Sequence, residues 1–219
     1  MKKYLFTILF SVFTYLLLAQ DENSFEDYLS HYKEIQLPYN ISLDSTRVIF
    51  PEGSIIPEDY ILKYVCEPGK PCDDNPLKYW YRYGIRVTLG DYVGVILSKD
   101  CDAYDECTTE FGIGIVRCLL IVYSSEEYQI SQSVISQISD QHFGYVTFAE
   151  NDNPCELLSI STKQGTLSEY DKERRIYQGL LDYCTYTINQ KGEIRKDKTM
   201  SSNIRVKWGI LKVNILEEW

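Results

Sequence analysis

Histidine is nearly absent from this chain, with two among 219 residues, His31 and His142. There is no Gly-x-Ser-x-Gly elbow either, so little supports nucleophilic catalysis, which needs a nucleophile beside a base. His142, within "DQHFG", reads as a hydrogen-bonded turn residue, and His31 as a solvated surface one. Basic residues are also scarce, 22 against 32 acidic, for a formal charge of −10. No basic cluster interrupts that balance, since "KGEIRKDK" is mixed in sign. An acidic surface repels phosphate backbones and anionic lipid, so nucleic acid is not an expected partner. Metal-binding patterns fail on inspection. In "DCDAYDECTTE", Asp100 and Asp102 occupy the first and third positions of an EF-hand-like run. However, Asp105 stands where glycine is needed and Phe111 where glutamate is needed. No cofactor and no metal are predicted.

Long uncharged apolar runs are missing too, except at the start. "MKK" is followed by "YLFTILFSVFTYLLLA" and then by polar "QDENSFEDY". Basic, apolar and polar segments in that order read as a secretory signal peptide over residues 1–19, with Ala19 at the cut. The run falls short of the roughly 20 apolar residues of a membrane helix, so no stable membrane insertion is expected after cleavage. The first cysteine is Cys66, so none sits where a bacterial lipid anchor would be attached. The expected location is periplasmic or extracellular. With no repeat and no low-complexity linker, residues 20–219 are expected to form a single domain large enough for its own core.

What the chain does have is aromatic residues, 14% of the total and 19 of them tyrosine, which favours ordered β-structure. "NSFEDYLSHYKEI" predicts a short amphipathic helix. Phe25, Tyr28, Leu29 and Tyr32 lie at helical spacing, and Ser24 with Asp27 forms a capping pattern. "IPEDYILKYVC" predicts a second, with Pro57 at its first position. From residue 79 the period becomes two. Tyr79, Tyr81, Tyr83, Ile85, Val87 and Leu89 share one parity, and Trp80, Arg82, Gly84, Arg86 and Thr88 the other. Gly90-Asp91 then marks a turn, so 79–89 and 92–98 predict a hairpin. "GIGIVRCLLIVY", apolar on both parities apart from Arg117, predicts a central strand covered on both faces. "EYQISQSVIS", "FGYVTFA", "CELLSIST" and "RIYQGLLDYCTYTIN" continue as strands. "NIRVKWGILKVNI" alternates twice, with a phase shift predicted as a bulge or bend at Gly209. No long helix separates the strands. The expected fold is therefore mainly β, with antiparallel sheets in a sandwich or barrel-like arrangement and one or two short N-terminal helices.

Seven cysteines fall at 66, 72, 101, 107, 118, 155 and 184. In an oxidising compartment they predict disulfides. Cys66–Cys72 would close the turn sequence "EPG", and Cys101–Cys107 a loop of equal length. Cross-pairing of the four is the alternative; zinc pairs are usually spaced by two to four residues, whereas five separate these. Cys118, in an apolar strand, reads as core. Trp80 is the large aromatic on the polar parity of its strand, with Arg82 and Arg86 as same-face neighbours, and is a candidate for stacking on a ligand. Packing under the N-terminal helix or against Arg82 is the alternative. Asn40-Ile41-Ser42 matches a glycosylation sequon, which matters only in a eukaryotic secretory path.

Four stretches, "FEDYLSHYKEIQLPYNIS", "LGDYVGVIL", "CLLIVYSSEEYQISQSVIS" and "YTINQKGEI", together resemble uncharacterised secreted all-β proteins of Bacteroidetes bacteria. The resemblance implies export and the β-fold, and brings no activity with it. The functional expectation is an exported, non-enzymatic domain that binds a protein or a glycan. The alternatives are a carboxylate-dependent hydrolase acting on polysaccharide or peptidoglycan, and a secreted inhibitor or immunity-type protein.

Overall fold

The computed structural model describes residues 24–43, 54–66, 79–101, 116–139, 142–174, 176–197, 199–208 and 213–219. Its strands form two sheets, and the fold is mainly β as expected. The first sheet runs in the order β1 (Lys33–Glu34), β3 (Tyr79–Leu89), β4 (Tyr92–Cys101), β5 (Val116–Ser124), β6 (Gln129–Ile138). The second runs β12 (Val213–Glu218), β11 (Met200–Trp208), β9 (Ile176–Asn189), β8 (Glu156–Asp171), β7 (His142–Ala149), β2 (Tyr39–Leu43). The short β10 (Ile194–Lys196) also pairs with β9. Every pairing is antiparallel except β1 with β3. Among the described residues, no helix is long and apolar enough to cross a membrane.

β5 shows why its sequence is apolar on both parities. Cys118, Leu120 and Val122 join the core between the sheets, while Leu119, Ile121 and Tyr123 join a second core beneath the helices. The first core is completed by Phe148, Leu158, Ile160 and Ile188 of the other sheet. The second is roofed by α1 (Phe25–Ser30) and by α2 (Glu58–Tyr60), which runs on into a π-helical turn, Ile61–Val65. Ser24 caps α1, its Oγ accepting the Asp27 amide at 3.1 Å. The helix ends at Ser30, short of the predicted stretch. Arg86 donates to the Leu29 carbonyl at 3.2 Å, and Lys33–Glu34 turn into a strand beside Ile85 and Arg86. Pro57 is the cap of α2, with ψ 149°, and Glu58 is its first helical residue. The buried hydroxyls of Tyr28, Tyr32 and Tyr123 find hydrogen-bond partners beneath these helices, whereas that of Tyr83 finds none among the described residues. Tyr28 and Tyr32 are 2.6 Å apart, and Tyr123 donates to the Tyr64 carbonyl at 2.7 Å.

The predicted hairpin forms, but β3 does not keep one apolar face. Tyr83 lies opposite Leu97 and Ile85 opposite Ile96, so Gly84 is an extra residue in a bulge. A single extra residue reverses the facing of everything beyond it. Tyr81 and Tyr83 therefore pack under the helices, while Ile85, Val87 and Leu89 pack between the sheets. Arg86 moves with them, to the helix side, where it pairs with Glu34 at 3.1 Å. It is thus not a same-face neighbour of Trp80, contrary to the reading from parity.

The C-terminal stretch also departs from expectation. Gly209 lies outside the described residues, but the strands on either side of it pair with each other, Trp208 opposite Val213 and Val206 opposite Ile215. These two strands run antiparallel. A bulge does occur, but between Arg205 and Val206.

Two features join and shape the sheets. Gln164 of β8 reaches β6 and substitutes for a missing strand: its Oε1 accepts the Gln137 amide at 2.9 Å, and its Nε2 donates to the Gln137 carbonyl at 2.9 Å. Further along, the outer face of the second sheet curls over a third apolar cluster of Phe143, Leu167, Leu181, Ile204, Val206 and Val213. Phe143 faces Gly165 directly, and its ring lies 2.2 Å from where a Cβ would stand, so only glycine leaves room for it. Tyr145 of β7 donates to the Val213 carbonyl of β12 at 3.2 Å, tying together two strands four places apart in the sheet. The result is half a barrel.

Candidate functional site

Side chains alternate across a strand, so residues flanking the inter-sheet core positions point to the concave side. Ile41 and Val146 are core; Asn40, Ser42, Tyr145 and Thr147 beside them line the concave face. With Lys163 of β8 and Ile215 of β12 they border an open groove of about 550 Å³. Its floor is held in place by neighbouring bonds. Thr147 donates to Asn40 Oδ1 at 2.7 Å, which leaves the Asn40 amide N–H groups directed away from that bond. The Tyr145 ring is oriented by its hydroxyl bond to Val213.

Charge in the groove is distributed unevenly. The Lys163 ammonium rests over the Tyr183 ring, 5.0 Å from its centroid, and makes no ion pair among the described residues. Tyr183 in turn donates to Glu218 Oε1 at 2.6 Å. That bond holds the Glu218 carboxyl below its ordinary pKa, with smaller help from Ser202 and Lys163. Desolvation, then the Glu218 bond, pushes the Tyr183 phenol up to about 12. At neutral pH, Glu218 is therefore an anion and Tyr183 a donor, so neither is poised to exchange a proton. What the groove offers is apolar floor, hydrogen-bond donors and one cation without a direct ion pair among the described residues, which suits binding.

A second cavity, of about 320 Å³, lies where β6 meets β8, β9 and β10, among Gln137, Gln164, Asp182, Cys184, Tyr186 and Lys196. Its polar groups are largely spent on the joint itself: Tyr186 donates to the Val134 carbonyl at 3.2 Å, and Gln164 clamps Gln137.

The residues singled out from the sequence lie elsewhere. Trp80 is 52% exposed on the first sheet, with the Arg82 guanidinium 5.9 Å from its ring centroid. Arg82 also pairs with Asp100 at 3.0 Å. Cys66 ends the π-helical turn, its amide donating to the Ile61 carbonyl at 3.0 Å. Cys101 ends β4 opposite Tyr79. Cys72, Cys107 and most of the acidic loop around them lie outside the described residues. Cys118 is a fully buried free thiol, its pKa raised by desolvation and then by Asp100. His142 is the first residue of β7, its Nδ1 2.8 Å from Ser139 Oγ. Lys163, Tyr145 and Ile215 carried no sequence signal: Tyr145 and Lys163 are brought opposite each other by the pairing of β7 with β8, and Ile215 of β12 reaches them only when the sheet curls. Comparison of the chain with protein-family models, with curated proteins and with solved structures finds no match.

Proposed function

We propose that this chain is an exported, non-enzymatic binding domain and that the concave groove is its ligand surface, for a protein or a glycan. The observation that carries the reading is the Lys163 ammonium, which makes no direct ion pair among the described residues and is set among Tyr145, Asn40, Ser42 and Thr147 on a floor of fixed side chains. Preorganised donors around an apolar floor lose little freedom on binding. Export rests on the leader-like residues 1–19 and places the domain in the periplasm or outside the cell. Local disulfides, Cys66–Cys72 and Cys101–Cys107, belong to the same proposal. Among the described residues, Cys118, Cys155 and Cys184 are free thiols.

The test screens the processed chain against immobilised glycans and against displayed peptides, with Lys163→Ala and Trp80→Ala beside the wild type. Lys163 is exposed on a sheet, so its truncation leaves the fold intact, which circular dichroism checks. Lys163→Ala is expected to weaken binding about tenfold or more, as for a charged hydrogen bond. Trp80→Ala should leave it unchanged. The reverse pattern would move the ligand surface to Trp80 and remove the groove from consideration.

A further inference from the structure

We infer that the groove takes an extended peptide segment as an added β-strand, closing the half-barrel; this rests on the groove being the ligand surface. The half-barrel has two edges, β2 and β12, and one groove touches both, through Asn40 and Ser42 on one side and Ile215 on the other. An edge strand carries outward N–H and C=O groups on alternate residues, a template for another strand. The edges are not treated alike. That of β6 is covered by side chains, with Gln164 clamping Gln137 and Tyr186 capping the Val134 carbonyl. β2 bonds only to β7: beyond that ladder, its backbone meets no partner among the described residues. An open five-residue edge is an aggregation hazard unless something occupies it.

The chemistry of the occupant follows from what its inward side chains would meet. Every second residue of an added strand faces the concave side. There it meets Tyr145 and Ile215, which favour apolar groups, and Lys163, an ammonium that makes no direct ion pair among the described residues and feels Glu218 only as a lesser, longer-range charge. Glu218, the nearby carboxylate, is engaged by the Tyr183 hydroxyl. The expected ligand is thus an extended peptide with alternating apolar residues and one aspartate or glutamate in the same phase, recognised by strand addition.

The probe is a displayed library of random short peptides, followed by a synthetic peptide of the selected sequence. Selection should enrich the alternating apolar–acidic pattern. Binding should slow hydrogen exchange of the outward-facing, alternate amides within 39–43 at least tenfold, since new ladder bonds protect them. With Lys163→Glu, selection should replace the acidic residue by Lys or Arg. Peptides that bind without slowing exchange at 39–43 would overturn strand addition while leaving the groove in place, and so would selection of sugars but no peptide. Protection of 39–43 that depends on protein concentration without any peptide would assign the edge to a second copy of the chain, and overturn the inference. Binding of neither peptide nor sugar would overturn the groove reading as well.

Discussion

Replacing Gln164 with leucine removes the clamp between the sheets while keeping a side chain of similar size. In the native protein its Oε1 accepts from Ser136 Oγ at 2.6 Å and from the Gln137 amide at 2.9 Å. Its Nε2 donates to the carbonyls of Gln137 at 2.9 Å and Phe143 at 3.0 Å. Leucine leaves the Gln137 amide and carbonyl without partners at a part-buried edge, each costing roughly 1–3 kcal/mol. The added apolar surface offsets about a quarter of that, by about 1 kcal/mol for the extra buried carbon. The expected loss is about 3 kcal/mol. For a chain of this size that lowers the melting temperature by about 6–12 °C. Calorimetry with urea unfolding measures it, and an unchanged m-value shows that the same surface is still exposed on unfolding. The Gln137 amide should also exchange faster than in the wild type, and the uncovered β6 edge should raise the tendency to aggregate. A midpoint within about 0.5 kcal/mol of wild type, with Gln137 still protected, would refute the clamp, because such a change is typical of a surface site without special contacts.

Two further outcomes follow from buried groups. Burial pushes the Tyr28 phenol up from 10.0 to about 12, and burial also raises Tyr32 and Tyr123 well above the ordinary value. Since the folded pKa lies above the unfolded one, this stability is fully present below pH 10 and is lost as pH rises through 10 to 12 and beyond. The buried tyrosines should therefore ionise cooperatively, their phenolate absorbance rising together with loss of near-ultraviolet circular dichroism; smooth titration of all the tyrosines near pH 10 in a native protein would contradict it. For the cysteines, a peptide mass map of the processed protein without reductant should show Cys66 joined to Cys72 and Cys101 to Cys107, with Cys118 alkylated only after unfolding. Free thiols at Cys66 and Cys72 would remove the first staple.

Much of the fold was readable because it depends on local periodicity. Alternation in 79–89, the Gly90-Asp91 turn, and the doubly apolar run of β5 each encode burial along one strand, and each is where it was expected. Other features depend on partners far along the chain. The bulge at Gly84 is invisible to parity, because the apolar residues on both sides of it stay on odd numbers; the layers they enter are different, helices for Tyr83 and the second sheet for Ile85. The antiparallel pairing of β11 with β12 gave the same phase shift as a bend would have given.

The candidate site shows the division most clearly. Composition by itself determined that the surface is acidic, that histidine-based catalysis has little to draw on, and that aromatic strands dominate, since these follow from counts and spacing. The groove was decided by tertiary structure alone. Tyr145 and Lys163 are cross-strand partners on β7 and β8, and Ile215 joins them because Phe143 settles over Gly165 and Tyr145 bonds to Val213, curling the sheet until β12 faces β7. Curvature is a property of many strands at once, and no single stretch of sequence carries it.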